Sequence, residues 1–307
     1  MGNYDWSIED IKKKIQLIES FEDKEKYRND IITLNSMINK TIEKRRITAQ
    51  IEEQLMSKQE EFSTLSKTFI SSVEKYKNDI EIPPFRFHYL SDEECLEIVH
   101  DFYKTREKYI YDAFIKNFEK RNTNLRMRES LFYSSAVTHH INCLNQSYID
   151  IAKSNSIYDI VNLAHEYGHA IGFSVNNDIV NNEYFVIIDD LEGEYFQLEF
   201  INWLIENNIF AEEAVLAKLF INQGMYCKAH YVEHRYDLQK LAYLMSYLTS
   251  IELSYLDNKD EILVRLINHK PNSIENMLSI LYDYLSINKN AEPFQLKLRQ
   301  EGIKYFG

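Results

Sequence analysis

Two histidines stand four residues apart in the segment His165-Glu166-Tyr167-Gly168-His169, with a glutamate directly after the first. On a helix this spacing places both imidazole rings on one face, close enough to bind one metal ion. Glu166 lies one step around the helix, where its carboxylate can accept a proton from water that the metal acidifies. We therefore predict a zinc ion held by His165 and His169, with Glu166 as the general base.

The residues around this motif indicate that its helix is buried. Apolar side chains flank the motif at Val161, Leu163, Ala164, Ala170 and Ile171. A buried helix that presents two histidines and a glutamate needs a compensating partner such as a metal ion. Glycine in a helix interior costs about 1 kcal/mol relative to alanine, so Gly168 predicts the close approach of another backbone.

A catalytic zinc site takes a third protein ligand and keeps one position open for water. Three candidate carboxylates lie downstream in a predicted helix, at Glu192, Glu194 and Glu199. Glu192 and Glu199 are seven residues apart and share a helix face, whereas Glu194 points elsewhere. We predict Glu192 as the third ligand of one zinc ion per chain, and Glu199 as a carboxylate that orients a ligand histidine.

The first quarter of the chain has a different character. From about Ser7 to Asp79 it is rich in Lys, Glu and Gln, and it contains neither proline nor internal glycine. Apolar residues recur there at helical spacing, at Ile31, Leu34, Met37 and Ile38 and again at Phe62, Leu65, Phe69 and Val73. No strict heptad is sustained, so we interpret residues 1–82 as long helices that pack on the rest of the chain. Residues 83–307 are the predicted catalytic domain.

The remaining elements place a small sheet before the motif helix. Two prolines at 83 and 84 end the N-terminal region, and Ser91 and Glu94 have the spacing of a capping box. The helix that this box opens is predicted to run to about Lys120. Extended segments are predicted at residues 85–90, 130–137, 146–152 and 184–188. The motif helix begins near Ser156, and the chain after residue 188 is predicted to be helical.

Composition excludes several classes of partner. The formal net charge of −13 argues against nucleic acid and anionic membrane surfaces, because both require a basic face. No apolar run reaches membrane-spanning length, and the N terminus lacks the features of a signal peptide. Cys95, Cys143 and Cys227 form no disulfide or zinc-binding pattern. We expect a cytoplasmic protein, with no prediction for its oligomeric state.

From Ser147 to Leu253 the sequence resembles the thimet oligopeptidase and oligoendopeptidase F family of zinc metallopeptidases. The resemblance rests on Ser147-Tyr148-Ile149, on residues 159–164 leading into the motif, and on the spacing of Glu192 and Glu199. It implies a zincin-like fold, mainly α, with a small β-sheet beside the active-site helix. It also implies a zinc endopeptidase that hydrolyses oligopeptides or exposed peptide segments.

The same family carries a segment rich in His and Tyr that closes over the substrate. The stretch from His230 to Ser246 resembles it. The resemblance implies that Tyr243 and Tyr236 donate hydrogen bonds to the oxyanion, with His230 or His234 as the histidine partner. Alternatively, these tyrosines form an aromatic stripe that packs a helix.

Several functions are compatible with these residues. We expect a peptide substrate in a groove beside the strand at residues 147–152, bound by strand addition. A dedicated processing protease for one partner or precursor polypeptide is an alternative, which the long N-terminal helices favour. Others are a non-catalytic helical binding protein with a residual metal site, against which the intact Glu166 argues, and zinc-dependent hydrolysis of a non-peptide amide.

Overall fold

The structure is a computed structural model. It describes residues 8–38, 71, 75, 82, 89–127, 135–176, 190–234, 238–269, 276 and 289–306, with the backbone alone for helical residues between 230 and 242. Within these ranges, ten α-helices, two short 3-10 helices and three strands have described bounds. The predicted fold class, mainly α with a small sheet beside the motif helix, is confirmed.

The helices are α1 (Ile8–Glu19), α2 (Arg28–Ile38), α3 (Asp92–Tyr103), α4 (Lys108–Phe118), α5 (Tyr158–Val175), α6 (Leu191–Glu206), α7 (Ala211–His234), α8 (Leu238–Ser254), α9 (Lys259–Asn268) and α10 (Ala291–Phe306). The strands are β1 (Thr123–Met127), β2 (Ser135–Ile141) and β3 (Gln146–Lys153). Among the helices so described, none is both long enough and apolar enough to cross a membrane.

The three strands form one sheet in the order β1-β3-β2. Strand β1 pairs with β3 in parallel, from Thr123 opposite Ile149 onward, and β2 pairs with β3 antiparallel. Both edges of β3 are therefore hydrogen-bonded within the sheet, so a peptide cannot add to it as a further strand. The predicted strand addition at residues 147–152 is wrong, and among the described strands the outer edges belong to β1 and β2.

Helix α5 lies at the centre of the fold. It packs against β2 and β3 and against α3, α4 and α6. Two buried hydroxyls fix it: that of Tyr103 donates to the carbonyl oxygen of Ala164 at 2.7 Å, and Tyr167 shares a 2.7 Å hydrogen bond with Thr123 Oγ1. Buried polar groups cost free energy unless they are bonded, so these pairs specify how α5 sits among its neighbours.

Helix α3 begins at the predicted capping box. The Ser91 hydroxyl accepts the backbone N–H of Glu94 at 3.2 Å, and the Glu94 carboxylate accepts the backbone N–H of Ser91 at 2.8 Å. The two bonds satisfy donors that a helix start leaves without partners. The prediction for this helix start is confirmed.

The helix that follows is shorter than predicted, since the chain turns after Tyr103 and resumes as α4 at Lys108. In the turn, the guanidinium of Arg106 donates to the carboxylate of Asp260 in α9, and the backbone N–H of Glu107 donates to the same carboxylate at 3.4 Å. These long-range bonds stabilise the break. A single helix to Lys120 would carry Arg106 past this partner.

Helices α1 and α2 pack against one end of the β2–β3 hairpin. The buried cluster there consists of Ile11, Ile18, Leu34, Met37, Ile141 and Tyr148. Asp30 in α2 accepts the backbone N–H groups of Asn142 and Cys143, both at 3.0 Å. Apolar burial and charge-assisted hydrogen bonds thus join the N-terminal helices to the sheet. The division of the chain at residue 82 stays a prediction, and the helical pattern at residues 62–73 lies largely outside the described residues.

Among the predicted strands, β3 is confirmed over residues 146–153, and β2 begins at Ser135 and ends at Ile141, later than predicted. Residues 89 and 90 of the predicted segment 85–90 are not in a strand, and residues 85–88, 130–134 and 184–188 lie outside the described residues. Strand β1 was not predicted, because its residues Thr123 to Met127 are largely polar and pair with a strand more than twenty residues away.

Candidate metal centre

A buried aspartate fixes the turn from β3 into α5. Asp159 Oδ1 accepts the backbone N–H of Ser154 at 2.7 Å, and its Oδ2 accepts that of Asn155 at 2.9 Å. A carboxylate in the first turn of a helix is also stabilised by the helix dipole. The strand therefore leads into α5 in one direction, which determines where the motif side chains emerge.

His165 and His169 lie on one face of α5. Their Nε2 atoms are 3.1 Å apart, and the ring planes meet at 83°. His169 is buried and His165 is half-buried. Two imidazoles whose Nε2 atoms converge in this way can share one metal ion.

Glycines allow α5 and α6 to approach closely enough to complete the site. A Cβ at Gly168 would lie 2.7 Å from the carbonyl oxygen of Glu192, and one at Gly172 would lie 2.9 Å from Glu192 Cγ. In α6, a Cβ at Gly193 would lie 2.6 Å from His165 Nε2. The close backbone approach predicted from Gly168 is confirmed, and it brings the start of α6 against the histidines.

Two carboxylates at the start of α6 reach the histidines from different sides. Asp190 Oδ1 lies 3.3 Å from His165 Nε2 and 3.0 Å from His169 Nε2. Glu192 Oε1 lies 3.2 Å from the other nitrogen of His169, Nδ1. Asp190 therefore completes a cluster with the two Nε2 atoms. Glu192, the predicted third ligand, instead contacts His169 Nδ1, the position from which a carboxylate orients a ligand histidine.

This cluster fits a zinc ion. With bonds of about 2.0–2.1 Å in a tetrahedral arrangement, zinc ligands lie about 3.3 Å from one another. The three ligand atoms here are separated by 3.0, 3.1 and 3.3 Å. Three buried atoms beside them make no hydrogen bond: His165 Nδ1, Asp190 Oδ2 and Glu192 Oε2. Unsatisfied buried carboxylate oxygens are costly, so a bound cation would stabilise this arrangement.

The charged groups of the cluster perturb one another. Burial alone would lower the pKa of His165 and of His169, but interactions with Asp190, and for His169 also with Glu192, raise both pKa values. Although burial opposes it, the histidines hold the pKa of Asp190 well below its usual range. Burial and the charge of Asp190 raise the pKa of Glu194 to about 8. Perturbed, buried groups of this kind are typical of functional sites.

Glu166 points from α5 toward strand β2. Its side chain is buried, and its Oε2 accepts a 2.7 Å hydrogen bond from the hydroxyl of Thr138. The same hydroxyl lies 2.9 Å from the carbonyl oxygen of Glu166. Its charge acts on His165, and a carboxylate of this kind held by a neutral donor can serve as a general base.

Glu199 does not have its predicted role of orienting a ligand histidine. Its carboxylate binds Arg106 at 3.0 Å and Lys259, and it makes no hydrogen bond to either motif histidine. Seven residues of helix correspond to about 10 Å, which moves Glu199 along α6 and away from the site. Sharing a helix face with Glu192 is therefore insufficient.

Of the residues implied as oxyanion donors, Tyr243 alone has a described side chain. Its ring lies 4.7 Å from Lys228 Nζ, an arrangement that brings α8 against α7. His230 and His234 belong to α7, and their side chains lie outside the described part of the chain, as does the whole of Tyr236. The roles of these four residues stay predictions.

Two residues of the site were missed from the sequence. Asp190 directly precedes α6, and its short side chain so close to Glu192 gave no separate periodic signal. Thr138 reaches Glu166 from a strand 28 residues earlier. An acidic residue at a helix start that follows a zinc motif was the available signal for Asp190, whereas nothing local marked Thr138.

Two solved structures resemble this fold. A protein of Bacillus anthracis str. Ames, assigned as an oligoendopeptidase F, aligns with a TM-score of 0.51 at 13% identity, over 95% of this chain and 62% of its own. A protein of Chlamydophila abortus, assigned as a peptidase, aligns with a TM-score of 0.48 at 11% identity, over 97% of this chain and 61% of its own. The chain has an oligoendopeptidase-type fold.

This chain thus spans less than two thirds of the length of either of these two structures. No protein-family model matches the sequence, and no curated protein matches it significantly. The likeness is therefore one of fold, and the chemistry has to be argued from the residues of the site.

Proposed function

We propose that this chain is a zinc-dependent endopeptidase that hydrolyses peptide bonds in oligopeptides or exposed peptide segments. The observation that carries the proposal is the convergence of His165 Nε2, His169 Nε2 and Asp190 Oδ1, with Glu166 directly after His165 on the same helix. Three protein ligands are typical of catalytic zinc sites, which keep a further position for water. The oligoendopeptidase-type fold supports a peptide as substrate.

In this proposal His165, His169 and Asp190 hold the ion, and Glu192 orients His169 through its Nδ1. Zinc at this place supplies Lewis-acid chemistry, which acidifies water and polarises the carbonyl of a peptide bond. The alternative that the sequence predicts, Glu192 as the third ligand, differs by which carboxylate faces the Nε2 atoms.

Glu166 supplies the proton transfers. Its carboxylate takes a proton from the attacking water and passes that proton to the amine that leaves. Its neighbours suit this role, since the hydroxyl of Thr138 holds one oxygen of the carboxylate and the helix backbone fixes the other end of the side chain. Tyr243 donates to the oxyanion, with Tyr236 and His230 or His234 as further donors.

The substrate lies along the outer edge of β2. This strand packs on α5, it forms one side of the described sheet, and its Thr138 bonds Glu166. An extended peptide can form backbone hydrogen bonds there, as in other cases of strand addition. The groove proposed for the substrate therefore moves from β3 to β2.

The decisive experiment compares zinc content with hydrolysis. Wild-type protein loaded with one zinc ion per chain should cleave a mixed peptide library, and Glu166→Gln should keep the zinc while its rate falls about 100- to 10,000-fold. Glu97→Gln, an exposed glutamate on α3, serves as the matched control and should retain the wild-type rate. Wild-type hydrolysis by Glu166→Gln would rule out the proposed mechanism.

A second comparison assigns the ligands. Asp190→Ala should lose tightly bound zinc, whereas Glu192→Ala should bind it more weakly but measurably, as titration with a chromogenic chelator would show. The reverse ranking would restore Glu192 as the third ligand and assign Asp190 to the surrounding shell. Both outcomes leave the role of Glu166 to be judged by the hydrolysis assay.

A further inference from the structure

Strand β2 places three side chains toward the motif helix. Residues alternate between the two faces of a strand, so Ala136, Thr138 and His140 point the same way. Two of them contact α5: His140 stacks on Phe173 with ring centroids 4.5 Å apart, and Thr138 bonds Glu166. This face of β2 therefore rests on α5, with Thr138 at the level of the catalytic carboxylate.

The Thr138 hydroxyl has two acceptors within reach and one proton to give. It lies 2.7 Å from Glu166 Oε2 and 2.9 Å from the carbonyl oxygen of Glu166. Bonds from a hydroxyl to a carboxylate are shorter and stronger than those to a neutral acceptor. The shorter contact is the one to the carboxylate, so the proton belongs there while Glu166 is ionised.

This bond restricts the rotation of the Glu166 side chain. A glutamate has three rotatable bonds, and a fixed donor at one carboxylate oxygen selects one orientation among them. The donor is itself fixed, because Thr138 pairs with Ile149 in the β2–β3 ladder and threonine is restricted about its first side-chain bond. Among the described residues, the hydrogen bond to this carboxylate is made at Oε2, and Oε1 keeps its lone pairs for a proton.

We propose that Thr138 is a positioning residue, which holds Glu166 Oε2 so that Oε1 acts as the base. This inference rests on the proposed peptidase function and adds to it a residue from the strand along which the substrate lies. It makes β2 a part of the catalytic apparatus as well as a binding edge. Because the Thr138 hydroxyl bonds the base, and the peptide would bond only the backbone of β2, loss of that hydroxyl should lower kcat and leave KM nearly unchanged.

Thr138→Val tests the inference, since valine keeps the branched shape and the strand preference of threonine while removing the hydroxyl. We expect kcat to fall about 10- to 100-fold, with KM within about threefold and zinc content unchanged. Thr138→Ser should restore most of kcat because it restores the donor.

The matched control is Thr123→Val. Thr123 is another strand threonine whose hydroxyl bonds a residue of α5, but it is more deeply buried than Thr138 and its partner is the phenol of Tyr167. It should reproduce any general loosening of α5 without changing the orientation of Glu166. Equal losses of kcat in Thr123→Val and Thr138→Val would overturn the inference, as would a Thr138→Ser protein no better than Thr138→Val.

A crystal structure of Thr138→Val separates this inference from the proposed function. The Glu166 carboxylate should adopt a different side-chain orientation from that in the wild-type protein. If it does so while the zinc-loaded wild type cleaves no peptide, the positioning role stands and the peptidase proposal fails. If the wild type cleaves peptides and the carboxylate stays in place with kcat unchanged, the positioning role alone is refuted.

Discussion

Helix α6 carries buried carboxylates in two contrasting surroundings, at its start and near its middle. At its start, Asp190 and Glu192 contact the motif histidines, and Glu194 is buried within the electrostatic influence of His165. We name this group the histidine cluster. Two turns later, Glu199 lies equally buried against Arg106. The same helix thus buries acidic groups twice, and the difference lies in what compensates them.

Around Glu199 the fold supplies its own cations. Glu199 and Asp260 contribute two negative charges, and Arg106 and Lys259 contribute two positive ones. The hydroxyl of Tyr195 adds hydrogen bonds to the same group. The charges of these side chains balance one another, and we name this group the arginine cluster.

In the histidine cluster the carboxylates outnumber the fixed cations. Lys228 acts on Glu194, the other compensating groups are the two histidines, and Asp190 Oδ2 and Glu192 Oε2 have no hydrogen-bond partner. A buried charge without a partner is strongly unfavourable, so such a group persists where something from outside completes it. The comparison indicates that the arginine cluster is structural, whereas the histidine cluster is suited to a metal ion.

The strongest test of this contrast removes Arg106. Arg106→Met leaves Glu199 and Asp260 buried with one cation fewer, and breaking a buried charge group in this way costs about 3–5 kcal/mol. We expect that loss in the free energy of unfolding, measured with urea, both with and without zinc. Arg265→Met is the control, because Arg265 pairs with Glu261 on the surface and should change stability by less than about 0.5 kcal/mol.

Zinc should stabilise the histidine cluster and leave the arginine cluster unchanged. At a free concentration 100 times its Kd, an ion that binds only the folded chain stabilises it by about 2.7 kcal/mol. The unfolding midpoint should therefore rise with free zinc, and Arg106→Met should show the same increment from a lower baseline. Stability that is independent of zinc would contradict the contrast between the arginine cluster and the histidine cluster.

The sequence was informative where local periodicity decides the structure. The four-residue spacing of His165 and His169, the capping box at Ser91 and the helix containing Glu192 all depend on neighbours within one or two turns. The close approach at Gly168 was predictable for a related reason, since glycine inside a helix is costly without a packing role.

The sequence was misleading where distant parts of the chain meet. Glu199 shares a helix face with Glu192, but its partner Arg106 lies 93 residues away in a turn that interrupts a predicted helix. Thr138 reaches Glu166 across the packing of sheet on helix, and Asp190 depends on how closely α6 approaches α5. Neither relation has a period along the chain.

Glu192→Gln tests the carboxylate that orients His169 in the histidine cluster. The amide accepts a weaker hydrogen bond from His169 Nδ1, so zinc affinity should fall about 10- to 100-fold. Glu199→Gln alters the arginine cluster, two turns further along the same helix, and should leave zinc affinity unchanged, as measured by competition with a chelator. A loss of affinity in Glu199→Gln would instead support the role first predicted for Glu199.

The pH dependence of the stability of the zinc-free protein is the smallest expected difference between the histidine cluster and the arginine cluster. Interactions with Asp190 raise the pKa values of His165 and His169 above the value of about 6.5 expected in the unfolded chain. Their contribution to stability is complete below that pH and is lost as the pH rises through the raised pKa values, by at most about 1.4 kcal/mol per unit for each histidine.

Urea unfolding of zinc-free protein between about pH 6 and pH 8 should therefore show stability that declines as pH rises, whereas the arginine of the arginine cluster does not titrate in this range. Asp190→Asn removes the charge that raises the histidine pKa values, so its decline should be shallower. Zinc reverses the sign, because it binds neutral imidazole and its affinity rises with pH. A zinc-free protein that gains stability over the same interval would show that these histidines do not pair with Asp190.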